Sequence, residues 1–127
     1  MRHLFHRHVV ERPQATRAVF LAPHPDDIAI GCCGTAQKMI AAGVSVQLVY
    51  LTDGRAAVEG AAEQAALAET RAGEAQAFGA GLGGLTPLML DWNESTLCDP
   101  ALFERRAAQI ATVLHEFGAD AAFIPYL

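Results

Sequence analysis

Three side chains in one short turn hold the densest chemistry in the chain. His24, Asp26 and Asp27 stand in the stretch VFLAPHPDDIAIGCCGT, residues 19–35. The apolar run Ala18 to Ala22 stops at Pro23-His24-Pro25-Asp26-Asp27, and small residues follow, which predicts strand, polar turn and helix. Pro25 fixes its own φ and pushes His24 towards extended geometry, so the turn is stiff before any ligand arrives. His24 and Asp27, three apart across that turn, are spaced to converge on one ion, with Asp26 pointing elsewhere. A mixed nitrogen and oxygen pair suits zinc, because magnesium and calcium prefer oxygen alone. A carboxylate beside a metal but not bound to it is placed to take a proton from metal-bound water. Two other readings stand: a solvated turn without chemistry, and a magnesium-binding phosphoacceptor receiver site. The second needs a lysine at the end of a late strand, whereas the only lysine, Lys38, falls in the first helix pattern.

Alternating strands and helices must position these groups. The pattern predicts a strand over 17–22, a helix from about Gly31 to Ala42 stopped by Gly43, and a strand over 44–51 ending in Thr52-Asp53-Gly54. Gly31 and Gly34 predict close backbone packing near the turn. An alanine-rich helix follows over 59–78, its stripe Ala61, Ala65, Ala68, Ala72 and Ala75 facing the sheet and Gly79 ending it. A short strand over 87–90 precedes the polar loop Asp91-Trp92-Asn93-Glu94. Asp99 as N-cap and Pro100 in the first turn then open a helix to Phe117, with Phe103, Ile110, Leu114 and Phe117 inward. The last strand spans 121–126. This βαβαβαβ order predicts a Rossmann-like three-layer α/β fold with a parallel sheet in the order 3-2-1-4 and helices on both faces. Ligands bind such sheets beyond the carboxyl ends of the strands, which is where the His24 turn falls. Asp53 should come near it, either capping its own turn or orienting a zinc ligand from behind. Cys32 reads as a small hydrophobe buried at the helix start or as a further ligand. His115 falls at the opposite end of the sheet and is not a ligand.

Composition bounds the partners. With 127 residues, 52% hydrophobic and 18% charged, the chain builds one core and is too apolar for disorder. A net charge of −5 argues against nucleic acid. No stretch approaches the about 18 consecutive apolar residues of a membrane span, and the apolar part of MRHLFHRHVVERPQATR is too short for a signal peptide. Three cysteines give no disulfide framework and suit a reducing cytoplasm. The arm over 1–16 carries His3, His6 and His8, read as solvated surface or as a metal tract.

The PHPDD turn, GCCGT, VYLTDG and TRAGEAQAFG, in that order, resemble the PIG-L (LmbE-like) family of zinc-dependent de-N-acetylases, from Arg17 onward. The resemblance implies that His24 and Asp27 bind Zn2+ and that Asp26 is the general base. It further implies that residues 17–127 are the N-terminal portion of such a domain. Arg71, in the RxxE stretch, resembles the family's arginine-bearing helix and would reach the substrate; the alternative is a surface pair with Glu74. Asp91 resembles a position that contacts sugar hydroxyls, and Trp92 reads as a wall for a sugar ring or as packing. The implied reaction is hydrolysis of an N-acetyl group on an N-acetylglucosaminyl or similar small-molecule conjugate. The family's second zinc motif, an HxDH-type stretch after the fourth strand, is absent, and the sequence stops at Leu127 about where it should begin. Two expectations follow: a deacetylase whose third ligand comes from elsewhere, or a catalytically silent α/β fragment or binding module. An apolar edge strand also predicts a homo-oligomer.

Overall fold

The structure, a computed structural model, describes residues 14–124. The leader histidines and the end of the expected last strand lie outside them. Strands β1 (Arg17–Ala22), β2 (Ser45–Tyr50), β3 (Leu88–Met89) and β4 (Ala121–Phe123) alternate with helices α1 (Asp27–Ala41), α2 (Ala61–Gly83) and α3 (Phe103–Phe117). Short 3-10 turns cover Arg55–Ala57, Glu94–Thr96 and Pro100–Leu102. The four strands form one parallel sheet in the order β3-β2-β1-β4, as the alternation predicts. Right-handed crossovers place α1 and α2 on one face and α3 on the other.

β1 is central, and its sequence explains why. Ala18, Val19 and Phe20 are fully buried and Ala22 nearly so, a continuous apolar run that only a strand covered on both faces can satisfy. It pairs in register with β2 from Arg17↔Ser45 to Ala22↔Tyr50 and with β4 from Ala18↔Ala121 to Phe20↔Phe123. Phe20 stacks on Phe123 with ring centroids 4.6 Å apart and planes 9° from parallel. On the same face Leu48, Tyr50, Ile28, Ala36, Met39 and Ala75 close the core. Burying each large side chain of this set contributes about 1.5–3 kcal/mol.

Several boundaries differ from the sequence reading. α1 begins at Asp27, and its helical path breaks at Cys32 (φ −147°, ψ 19°), so the expected helix from Gly31 corresponds to its second segment. Nothing lies within 4 Å of a side chain added at Gly31 or Gly34, so neither serves close packing. In α2 the buried positions are Ala68, Ala75 and Gly79, while Ala61 and Ala65 are exposed. Gly79 does not end the helix. A Cβ there would clash with the Leu85 carbonyl oxygen, so the glycine lets the chain return across the helix, which closes at Gly84 in the left-handed region. Asp99 does cap a helical start, accepting a hydrogen bond from the Ala101 amide at 3.0 Å, but the turn it caps is 3-10. In α3 no side chain is fully buried; Ile110, Leu114 and Phe117 are half-buried and Phe103 is 52% exposed. Phe103 stands where α3 leaves that 3-10 turn, at the end of the helix away from β4.

The lower end of the sheet is held by polar contacts. The Asp120 carboxylate accepts from the backbone amides of Thr16 and Arg17, both at 2.9 Å, and from the Thr16 hydroxyl at 2.6 Å. Arg17 donates to the Phe117 carbonyl at 2.6 Å, its guanidinium 4.4 Å from the centre of the Phe117 ring. His115 lies at this end, in the last turn of α3 and away from the His24 turn, as expected.

Candidate active site

The turn after β1 folds directly into α1. The Asp27 amide donates to the His24 carbonyl (3.3 Å) and the Ile30 amide to the Asp26 carbonyl (3.0 Å), so Asp26 becomes the cap and Asp27 the first helical residue. The end of β2 clamps this turn from the side. Thr52, fully buried, donates both its hydroxyl and its amide to the Pro23 carbonyl at 2.9 Å. A buried hydroxyl satisfied in this way costs little and fixes the backbone one residue before His24.

His24 and Asp27 stand close together across the turn. Asp27 Oδ2 accepts the His24 backbone amide at 2.9 Å and stands 3.3 Å from His24 Nδ1. Two ligands about 2.0–2.1 Å from a tetrahedral zinc lie about 3.3–3.4 Å apart, so these two atoms fit one edge of such a site. Asp26 is exposed, and among the described residues its carboxylate has no hydrogen-bond partner. No third His, Cys, Asp or Glu completes a metal-holding group among the described residues.

The contact that the sequence reading missed is Glu94. Its Oε1 lies 2.7 Å from His24 Nε2, and its Oε2 accepts the Ala56 amide at 3.2 Å. Asn93 caps the 3-10 turn that starts with Glu94, its side chain accepting from the Ser95 amide at 3.0 Å. The signal available was position alone, a polar loop at the carboxyl end of the third strand.

Asp53 lies beside this site with its carboxylate engaged elsewhere. It accepts from its own turn at the Arg55 amide (3.1 Å) and pairs with the Arg55 guanidinium at 2.6 and 2.8 Å. The Arg55 hydrogen bond holds its carboxyl below the usual range against the opposing effect of burial. The turn-capping reading of Asp53 is therefore the observed one, and Glu94 makes the contact to His24. Arg71 does not make the surface pair expected as its alternative. It is half-buried and donates to the carbonyl of Gly54 at 3.0 Å, a residue whose φ of 72° lies in the left-handed region that favours glycine.

Asp91 adopts a positive φ of 53°, the only described non-glycine residue to do so. It lines a cleft of about 560 Å3 together with Asp53, Arg55, Gln64, Trp92 and Glu94. Trp92 reaches this cleft while donating its indole N–H to Gln109 at 2.6 Å, with the Arg106 guanidinium 4.8 Å above its ring. A second cleft of about 360 Å3 touches Asp27, Cys32 and Phe123. Cys32 packs against the core, and burial, then its neighbour Cys33, push its thiol upwards, which favours the small-hydrophobe reading. Among the described residues no helix is long and apolar enough to cross a membrane.

Comparison with known proteins agrees with this architecture. The chain is similar to the N,N'-diacetylchitobiose deacetylase from Pyrococcus horikoshii, solved with its inhibitor MPG, at 30% identity and a TM-score of 0.74 over 87% of this chain and 41% of that one. It is also similar to the conserved protein TT1542 from Thermus thermophilus, at 28% identity and a TM-score of 0.66 over 89% of this chain and 47% of that one. The chain thus spans less than half the length of both. Among curated proteins none matches. The sequence pattern of the PIG-L family, described as GlcNAc-PI de-N-acetylase, matches residues 19–127, a range that contains the His24 turn and nearly all of the sheet, and the chain belongs to that family.

Proposed function

We propose that this chain carries the metal-binding half of an N-deacetylase site acting on an N-acetylglucosaminyl or similar small-molecule conjugate in the cytoplasm. The observation that carries the reading is the 3.3 Å separation of His24 Nδ1 and Asp27 Oδ2 beside the unengaged Asp26, in a member of the PIG-L family. His24 and Asp27 would hold zinc. Zinc bound there supplies an acidified water and an electrophile for the acetamide carbonyl oxygen. Asp26, exposed at the cap of α1, takes the proton at its carboxylate. Water adds, the amide C–N bond breaks, and acetate and a free amine leave. Asp91 offers an acceptor for sugar hydroxyls in a cleft whose volume suits a small ligand, and Asp53, held by Arg55, stands on the same lining. Arg71 donates to the carbonyl of Gly54, the residue between the cleft-lining Asp53 and Arg55.

The second reading, a fold that keeps the turn without the chemistry, draws on the two-ligand count among the described residues, since catalytic zinc normally has three protein ligands. Calorimetric zinc titration of the 127-residue chain beside His24→Ala and Asp27→Ala separates the two. One zinc bound by the wild type and lost in both variants is the expected result. Absent binding in the wild type, or equal binding in the variants, refutes the metal assignment.

A further inference from the structure

We infer that Glu94 is a positioning residue that fixes the His24 ring with Nε2 protonated and Nδ1 turned towards the metal, an inference resting on the proposed His24 and Asp27 pair. The two nitrogens of the ring have different neighbours. Nδ1 faces Asp27 Oδ2 at 3.3 Å, the separation of two zinc ligands, whereas Nε2 faces Glu94 Oε1 at 2.7 Å. The second distance is too short for two atoms sharing one tetrahedral ion, whose ligands stand about 3.3–3.4 Å apart, and it is the length of a charge-assisted hydrogen bond. Glu94 is therefore a partner of the ligand and not itself a ligand. A carboxylate accepts and cannot donate when ionised, so the proton of this bond belongs to Nε2. In the neutral imidazole that leaves the Nδ1 lone pair free, on the side that faces Asp27 Oδ2.

The carboxylate is itself held at both ends. Its other oxygen accepts the Ala56 amide at 3.2 Å, and the Asn93 cap sets the turn that presents it. With side chains only 23% and 33% exposed for Glu94 and His24, water competes poorly for this contact. One side chain thereby joins the turns that follow β1, β2 and β3. Partners of this kind orient a metal-bound histidine and raise its basicity, and losing one typically costs about 10–100-fold in metal affinity.

Nitrogen-15 NMR of the His24 ring at alkaline pH, with and without zinc, tests this on the whole chain, beside Glu94→Ala, Glu94→Gln and His24→Ala. The wild type is expected to show the Nε2–H tautomer without metal and zinc on Nδ1 when loaded. Glu94→Ala is expected to mix the tautomers and weaken zinc binding about 10–100-fold. Glu94→Gln, which retains a neutral acceptor, keeps the tautomer and loses less affinity, a pattern that simple loss of loop structure does not produce. An unchanged tautomer and unchanged affinity in Glu94→Ala, or zinc on Nε2 in the wild type, overturns the inference alone. Zinc bound as tightly by His24→Ala as by the wild type overturns the metal pair and the inference with it.

Discussion

Tyr50→Phe should make this protein more stable. Tyr50 ends β2, paired with Ala22, and is fully buried, yet its hydroxyl has no hydrogen-bond partner among the described residues. Burial, then the charges of Cys32, Asp26 and Asp27, push the phenol up to about 12. A buried hydroxyl left unpaired carries a desolvation penalty of about 1–3 kcal/mol. Removing one oxygen leaves the ring and its contacts with the core in place, so the opposing loss of packing is small. A net gain of about 1 kcal/mol results. With a urea m-value of about 1–3 kcal/mol/M, the unfolding midpoint rises by about 0.3–1 M at unchanged slope. Equilibrium urea unfolding followed by circular dichroism reads this directly. A midpoint that falls would show that the hydroxyl makes a stabilising hydrogen bond, and the reasoning from its isolation would then be wrong.

The contacts at the opposite end of the sheet predict an acid dependence. Hydrogen bonds from the Thr16 hydroxyl and from the Arg17 and Thr16 amides lower the Asp120 carboxyl to about 2. A carboxyl depressed below its ordinary value of about 3.9 contributes stability above that value and loses it as pH falls through about 2. The urea midpoint of the wild type should therefore fall more steeply than that of Asp120→Asn over this window, and parallel curves would count against the assignment. The oligomer expected from the edge of the sheet is tested by sedimentation velocity: β4 is an edge strand with Ile124 72% exposed, and association should grow with concentration. A monomer throughout would remove that proposal.

Much of this arrangement is legible in residue order alone. The turn after β1, the parallel sheet and its strand order follow from apolar runs that end in polar turns, and His24 and Asp27 meet because three residues across a proline-stiffened turn leave them little choice. What sequence does not carry is the partner brought from far along the chain. Glu94 is 70 residues from His24, and no local pattern distinguishes it from a solvated loop residue. Asp53 carries the opposite lesson: its position beside the turn is predictable, but Arg55, two residues away, captures its carboxylate first. Helix limits fail where a glycine serves close approach, as at Gly79, which propensity alone reads as a stop.

The central place of β1 also ranks the closures of the sheet by the length of chain each must span. The Thr52 to Pro23 bond that joins β2 to β1 spans 29 residues, the Glu94 to His24 contact 70, and the Asp120 to Thr16 bond beside β4 spans 104. Loop-closure entropy grows with the logarithm of length, so the longest closure costs about 1 kcal/mol more than the shortest. β4, with three residues, returns little hydrogen bonding for that cost. The strands that lead into the His24, Asp27 and Glu94 turns thus close on shorter rings of chain than the edge strand, and the site side of the sheet has the lower entropic threshold for forming.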